Sequence, residues 1–127
     1  MKLTTVHHIA IICSDYEKSK AFYTDVLGFT ILSESYREER DSYKLDLLGE
    51  NGIQLELFSF PHPPERPSHP EAQGLRHLAF HTPDIYGAIH HLEKNGIEVE
   101  PVRIDPITGK KFTFFKDPDH LPLELYE

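Results

Sequence analysis

Cysteine is nearly absent from this 127-residue chain: Cys13 is the only one, so no disulfide can form within it, and a reducing compartment is the expected setting. Cys13 ends the apolar run Ile9-Ala10-Ile11-Ile12-Cys13 and reads as a small core residue rather than a nucleophile. Basic residues are also scarce. Thirteen Lys and Arg face 21 Asp and Glu, a net charge of −8 without long acidic runs. Nucleic-acid binding needs basic surface to neutralise phosphates, so that class of partner is excluded. A small anionic substrate is not, because a local Lys/Arg cluster or a bound cation can reverse the sign inside a pocket. No apolar run approaches the roughly 20 residues that span a bilayer, and no basic start leads into a long apolar stretch. The expectation is a cytoplasmic protein with no membrane partner.

What the chain does have is a repeat. His8-Ile-Ala-Ile-Ile-Cys-Ser-Asp15 aligns with His77-Leu-Ala-Phe-His-Thr-Pro-Asp84, giving His-x-Ala twice, with an Asp seven residues after each His. Each Asp opens an amphipathic stretch, Asp15 to Leu27 and Asp84 to Asn95, and each stretch stops at a glycine, Gly28 or Gly96. An Asp cap, apolar residues at three- and four-residue spacing and a terminal Gly predict two helices. Strand-like segments follow: Phe29–Tyr36, Ser42–Leu48 and Ile53–Phe60 in one half, Glu98–Arg103, Lys111–Lys116 and Leu121–Tyr126 in the other. Turn chemistry at Glu50-Asn51-Gly52, Pro106–Gly109 and Asp117-Pro118-Asp119 separates them.

Each half therefore reads strand–helix–strand–strand–strand. The expected organisation is one domain over 1–127, with module 1 at 1–60, a connector at 61–74 and module 2 at 75–127. Five of the ten prolines fall in that connector, which cannot continue a sheet. Neither half can bury a good core alone, so the two should pack together or exchange partners between chains.

Within the repeat, two positions combine identity with metal-binding chemistry: His8 matches His77, and Glu56 matches Glu124. The His-to-Glu separation is 48 residues in the first half (8 to 56) and 47 in the second (77 to 124). Imidazole nitrogen and carboxylate oxygen bind divalent first-row metals well. Strand alternation puts His8 with Ala10 and Ile12, and Glu56 with Gln54 and Phe58, while Leu55 and Leu57 face the other way. A carboxylate between two core leucines is expensive unless water or a cation receives it. Small Ala10 and Ala79 leave room for a ligand. A single His or Glu on a strand is usually solvent-facing; two of each recurring at matching places are hard to assign to chance.

The other histidines compete poorly. His7 aligns with Arg76 and faces away from His8. His81 shares the face of His77 but lies about 13 Å along the strand. His62, His69, His90, His91 and His120 read as surface residues.

At these positions the chain resembles the vicinal-oxygen-chelate superfamily, which includes glyoxalase I, methylmalonyl-CoA epimerase, extradiol dioxygenases and fosfomycin-resistance proteins. The resemblance runs from Val6-His7-His8-Ile9-Ala10 to Pro122-Leu123-Glu124-Leu125-Tyr126, supported by Phe22-Tyr23, Leu27-Gly28-Phe29 and Phe115-Lys116-Asp117-Pro118-Asp119. Phe58-Ser59-Phe60-Pro61 and Pro63-Pro64-Glu65-Arg66-Pro67 resemble the small bacterial glyoxalase-like proteins of the YaeR type.

The resemblance implies an α+β fold of two βαβββ modules forming a curved mixed sheet around a metal. It implies one divalent ion per site, Zn or Ni ahead of Co, Mn and Fe, held by His8, Glu56, His77 and Glu124. The implied activity is that of a glyoxalase I-like lyase or isomerase, moving a proton on a small substrate with adjacent oxygens, with Glu124 as base and Glu56 as its partner. Two positions that help hold glutathione in the bacterial enzymes carry Ile12 and Phe60 here, so the resemblance carries the metal centre further than the glutathione grip. An acyl-CoA epimerase and a metal-free drug-binding module are the competing readings. Glyoxalase I shares its site across a dimer, and strand edges in both modules need covering, so a homodimer is expected.

Overall fold

Asp15 and Asp84 open the two helical stretches, and left-handed Gly28 and Gly96 close them, as the sequence suggests. A computed structural model describes all 127 residues, Met1–Glu127, and they divide into two compact units, Met1–Pro64 and Glu65–Glu127. The boundary falls inside the Pro-rich connector.

In the first unit the order is β1 (Ile9–Cys13), α1 (Tyr16–Ala21), β2 (Thr30–Arg37), β3 (Ser42–Leu48) and β4 (Gln54–Ser59). The sheet runs β1-β4-β3-β2, with β1 parallel to β4 and the other pairs antiparallel. Asp15 caps α1 by accepting the Lys18 N–H at 3.1 Å. The predicted single helix is in fact two conformations: α1 gives way to a π-helical turn over Phe22–Val26, closed by Leu27 N–H donating to the Phe22 carbonyl. The wider turn coincides with a packed aromatic run, Phe22 edge-on to Tyr23 and Tyr23 edge-on to Phe29, all buried. Gly28, at φ +80°, then ends the helix and bonds back to the Thr24 carbonyl. Alternation divides the sheet as expected: Leu45, Leu47, Leu55 and Leu57 are fully buried, and α1 lies against β4.

The second unit repeats the plan with β5 (Leu78–His81), α2 (Ile85–Lys94), β6 (Arg103–Ile104), β7 (Lys111–Lys116) and β8 (Pro122–Tyr126), in the order β5-β8-β7-β6. Asp84 caps α2 through the Gly87 N–H. At the other end Gly96 N–H bonds to Glu93 and Ile97 N–H to Leu92, the paired bonds of a Schellman cap. The strand expected at Glu98–Arg103 shrinks to the two residues Arg103–Ile104. Pro101 offers no donor, and Glu100 engages β7 only through single bonds, its N–H to Phe114 and its carbonyl to Thr113 Oγ1. The turn before β8 is built by buried Asp117, whose Oδ1 accepts the Asp119 and Leu121 N–H groups at 2.9 and 2.8 Å. No helix is long and apolar enough to cross a membrane.

Candidate metal centre

The repeat survives into the hydrogen-bond register. Ala10 pairs with Glu56 across β1 and β4, and Ala79 pairs with Glu124 across β5 and β8. Each histidine lies two residues before that alanine, at the entrance to its strand, and so on the same face. The result is one His–Glu pair per module. His8 Nε2 stands 3.4 Å from Glu56 Oε2, and His77 Nε2 stands 2.9 Å from Glu124 Oε2. Both carboxylates are largely shielded, with side chains only 12% exposed.

These spacings suit a shared cation. Two ligands each about 2.1 Å from a divalent metal, at angles between square and tetrahedral, lie about 3.0–3.4 Å apart. His77 Nδ1 is buried without a hydrogen-bond partner, leaving Nε2 as the atom turned to chemistry. Donor types and spacing thus fit a divalent ion. Each pair supplies two ligands, and nowhere do three or more His, Cys, Asp or Glu side chains gather into a group that could hold a metal.

The neighbours of the two pairs differ. In module 1, Asp46 lies directly opposite Glu56 across β3 and β4, two like charges that would repel. Lys44 relieves this, its Nζ 3.2 Å from Asp46 and 3.3 Å from Glu56 Oε1. Asp46 also accepts the Ser33 hydroxyl at 2.7 Å. Burial alone would raise the Asp46 carboxyl, but Ser33 and Lys44 outweigh it and hold it below the ordinary range. Lys44 is raised in turn, chiefly by Asp46 and then by Glu56. In module 2 the residue opposite Glu124 is Phe114, which meets the His77 ring edge-on at 5.2 Å and stands against Phe112. No Lys or Arg reaches Glu124, and its Oε1 makes no ion pair.

Sequence reasoning missed two participants. His7 Nδ1 lies 2.8 Å from His8 Nδ1, so the histidine that the repeat rejects is the one that fixes His8 with Nε2 towards Glu56. Lys44 was legible in principle: the Asn51-Gly52 turn sets the β3–β4 register, and counting outward places Lys44 opposite Phe58, beside Glu56. His62, His69, His81, His90, His91 and His120 are all exposed. Of the positions that depart from bacterial glyoxalase I, Ile12 is exposed, and Phe60 stacks with Phe58 beneath the Arg37 guanidinium.

Comparison with known proteins agrees with this architecture. The family model described as Glyoxalase/Bleomycin resistance protein/Dioxygenase superfamily matches residues 5–125. The chain is 64% identical to the uncharacterized protein YwkD of Bacillus subtilis over 100% of this chain and 99% of that one. It is 63% identical to the uncharacterized protein YaeR of Escherichia coli, covering 98% and 97%. Among solved structures, a glyoxalase family protein from Enterococcus faecalis superposes with a TM-score of 0.93 at 50% identity, covering 100% of both chains. The chain therefore belongs to the glyoxalase/bleomycin resistance protein/dioxygenase superfamily, also called the vicinal-oxygen-chelate superfamily.

Proposed function

We propose that this protein is a divalent-metal-dependent lyase or isomerase that moves a proton between adjacent carbons of a small substrate with vicinal oxygens. The observation that carries this reading is the recurrence of a shielded His–Glu pair at the same register position of both modules, His8 with Glu56 and His77 with Glu124. Each pair would contribute two ligands to a divalent ion, Zn or Ni ahead of Co, Mn and Fe. A bound divalent ion supplies Lewis-acid polarisation of the two substrate oxygens.

The chain's own residues divide the remaining work. A general base must be free to take a proton and hand it back. Both oxygens of Glu56 are engaged, Oε2 by His8 and Oε1 by Lys44, whereas only Oε2 of Glu124 has a partner. This supports Glu124 as the group that takes the proton from one carbon and returns it to the next. Glu56 keeps its charge and its place. A homodimer would cover the strand edges that each four-stranded sheet leaves open. The single buried thiol of Cys13 suits a reducing cytoplasm.

Metal content, read by elemental analysis after loading with Ni, Co, Zn and Mn, tests the centre on wild type and on Glu56→Ala/Glu124→Ala. One ion per site in wild type, lost in the double variant, is the expected result. The same samples are then given the methylglyoxal–glutathione hemithioacetal. Turnover makes the protein a glyoxalase I; metal without turnover keeps the class and moves the search to other thiols and acyl-CoA substrates. Wild type that takes up no metal overturns the reading and leaves a small-molecule binding module.

A further inference from the structure

The Pro-rich connector forms a wall as well as a link. Arg66 donates from Nη2 to the carbonyls of Leu75 and Arg76, each at 3.1 Å, and so ties the start of the connector to the residues just before His77. Between this segment and β7 lies a recess of about 680 Å³ whose lining includes Arg66, His77, Arg103, Phe114 and Lys116. That volume is in the range that holds small organic molecules.

Its charge runs against the chain as a whole. Arg76 pairs with Glu71, and Arg103 pairs with Glu100 at 2.9 Å. Arg66 meets only neutral carbonyls, and Lys116 has no ion-pair partner, so two uncompensated cations face one unpaired acid, Glu98. A positive recess on a chain of net charge −8 attracts anions locally and repels them elsewhere. Phe114 and Phe115 supply the aromatic part of its lining, and the Arg103 guanidinium lies 5.3 Å from the Phe114 ring centroid.

We propose that this recess binds an organic anion, its carboxylate or phosphate against Lys116 and Arg66 and its apolar body against Phe114, beside His77. The inference deepens the proposed function, and rests on it in treating that anion as the substrate. It names the substrate class: a small oxyacid or phosphate ester with an apolar body rather than an uncharged carbonyl compound.

Phenylphosphonate joins a planar body to a phosphonate and serves as probe; 2-phenylethanol is its uncharged counterpart. Isotope-labelled, metal-free full-length protein is titrated with each, and amide shifts are followed by heteronuclear NMR. Saturable shifts at His77, Phe114 and Lys116 are expected with phenylphosphonate alone, weakening in high salt. Lys116→Gln should weaken binding about tenfold, as loss of one charged hydrogen bond does, and Arg66→Gln/Lys116→Gln should weaken it further. Arg66→Gln also unpins the connector, so Lys116→Gln, on an exposed strand end, decides the matter. Absence of saturation, equal affinity for the uncharged probe, or unchanged binding in Lys116→Gln overturns the inference. Elemental analysis of separate aliquots of the same protein, reloaded with Ni, Co, Zn and Mn, separates the two failures: metal uptake without anion binding sinks only this inference, and anion binding without metal uptake sinks only the metal-dependent reading.

Discussion

Lys44 is the residue that makes the His–Glu pairs of the two modules unequal. Its ammonium sits between Asp46 and Glu56, so any divalent ion approaching Glu56 meets a positive charge already in place. Removing that charge has two consequences of opposite sign. In metal-free Lys44→Met the Asp46 and Glu56 carboxylates face each other unrelieved, and stability should fall by about 1 kcal/mol. Metal affinity should rise about tenfold, since two neighbouring cations repel by about 1 kcal/mol or more even in water-like surroundings. Chelator competition measures the second effect, and unchanged affinity would mean that Lys44 does not oppose the metal. The same asymmetry separates the two carboxylates in kinetics. Glu124→Gln should lower kcat about a hundredfold to ten-thousandfold, the usual contribution of a positioned base. Glu56→Gln should act mainly through weakened metal retention, recovered at high metal concentration. Equal losses in both variants, with equal metal rescue, would deny Glu124 its separate role.

At the scale of elements, Gly49 shows how closely module 1 is packed where β3 turns towards β4. A Cβ there would lie 2.7 Å from Phe29 Cε1, and Phe29 is itself buried against Tyr23. Gly49→Ala should therefore destabilise by about 1–3 kcal/mol, the usual cost of overpacking, seen as a lower urea midpoint with unchanged slope. Unaltered stability would show that the Phe29 ring yields freely. Much of this level was legible in the chain. Ser42–Leu48 and Lys111–Lys116 fall at their predicted limits, because alternation, turn residues and β-branched or aromatic content agree there. The Asp15 and Asp84 caps were equally plain, each being a local side-chain-to-backbone bond. What was not legible depends on packing across the chain. The π-helical turn at Phe22–Val26 accompanies three buried rings that must share space, and periodicity does not record that. The shortened β6 follows from which N–H groups find partners on β7, a matter of register rather than of propensity. The connector read as Pro-rich spacer, and nothing local announced that Arg66 would fold it into a wall.

For the molecule as a whole, charge pairing fixes the range of pH over which the fold keeps its stability. Three carboxyls titrate below their ordinary values. Glu34 is lowered by Lys20, 2.7 Å away, and then by the Tyr16 hydroxyl; Asp46 by Ser33 and Lys44 against its burial; Asp105 by the Ile107 N–H and then by Tyr126. Each contributes stability that is present above the unfolded value of about 4 and is lost as pH falls through the lower folded value. Lys20 and Lys44 are raised, chiefly by Glu34 and Asp46, and Tyr16 is raised by burial and then by Glu34. Their contribution is present below the unfolded values of about 10 and is lost as pH rises through the folded ones. The urea midpoint should therefore be flat between about pH 5 and 9 and fall on both sides. Glu34 ties the two sides together, because one carboxylate receives both Tyr16 and Lys20. Glu34→Gln should lower the plateau while making both the acid and the alkaline decline shallower. A variant that keeps the wild-type slopes on both sides would show that solvent screens the partly exposed Lys20–Glu34 pair and that the pH limits are set elsewhere.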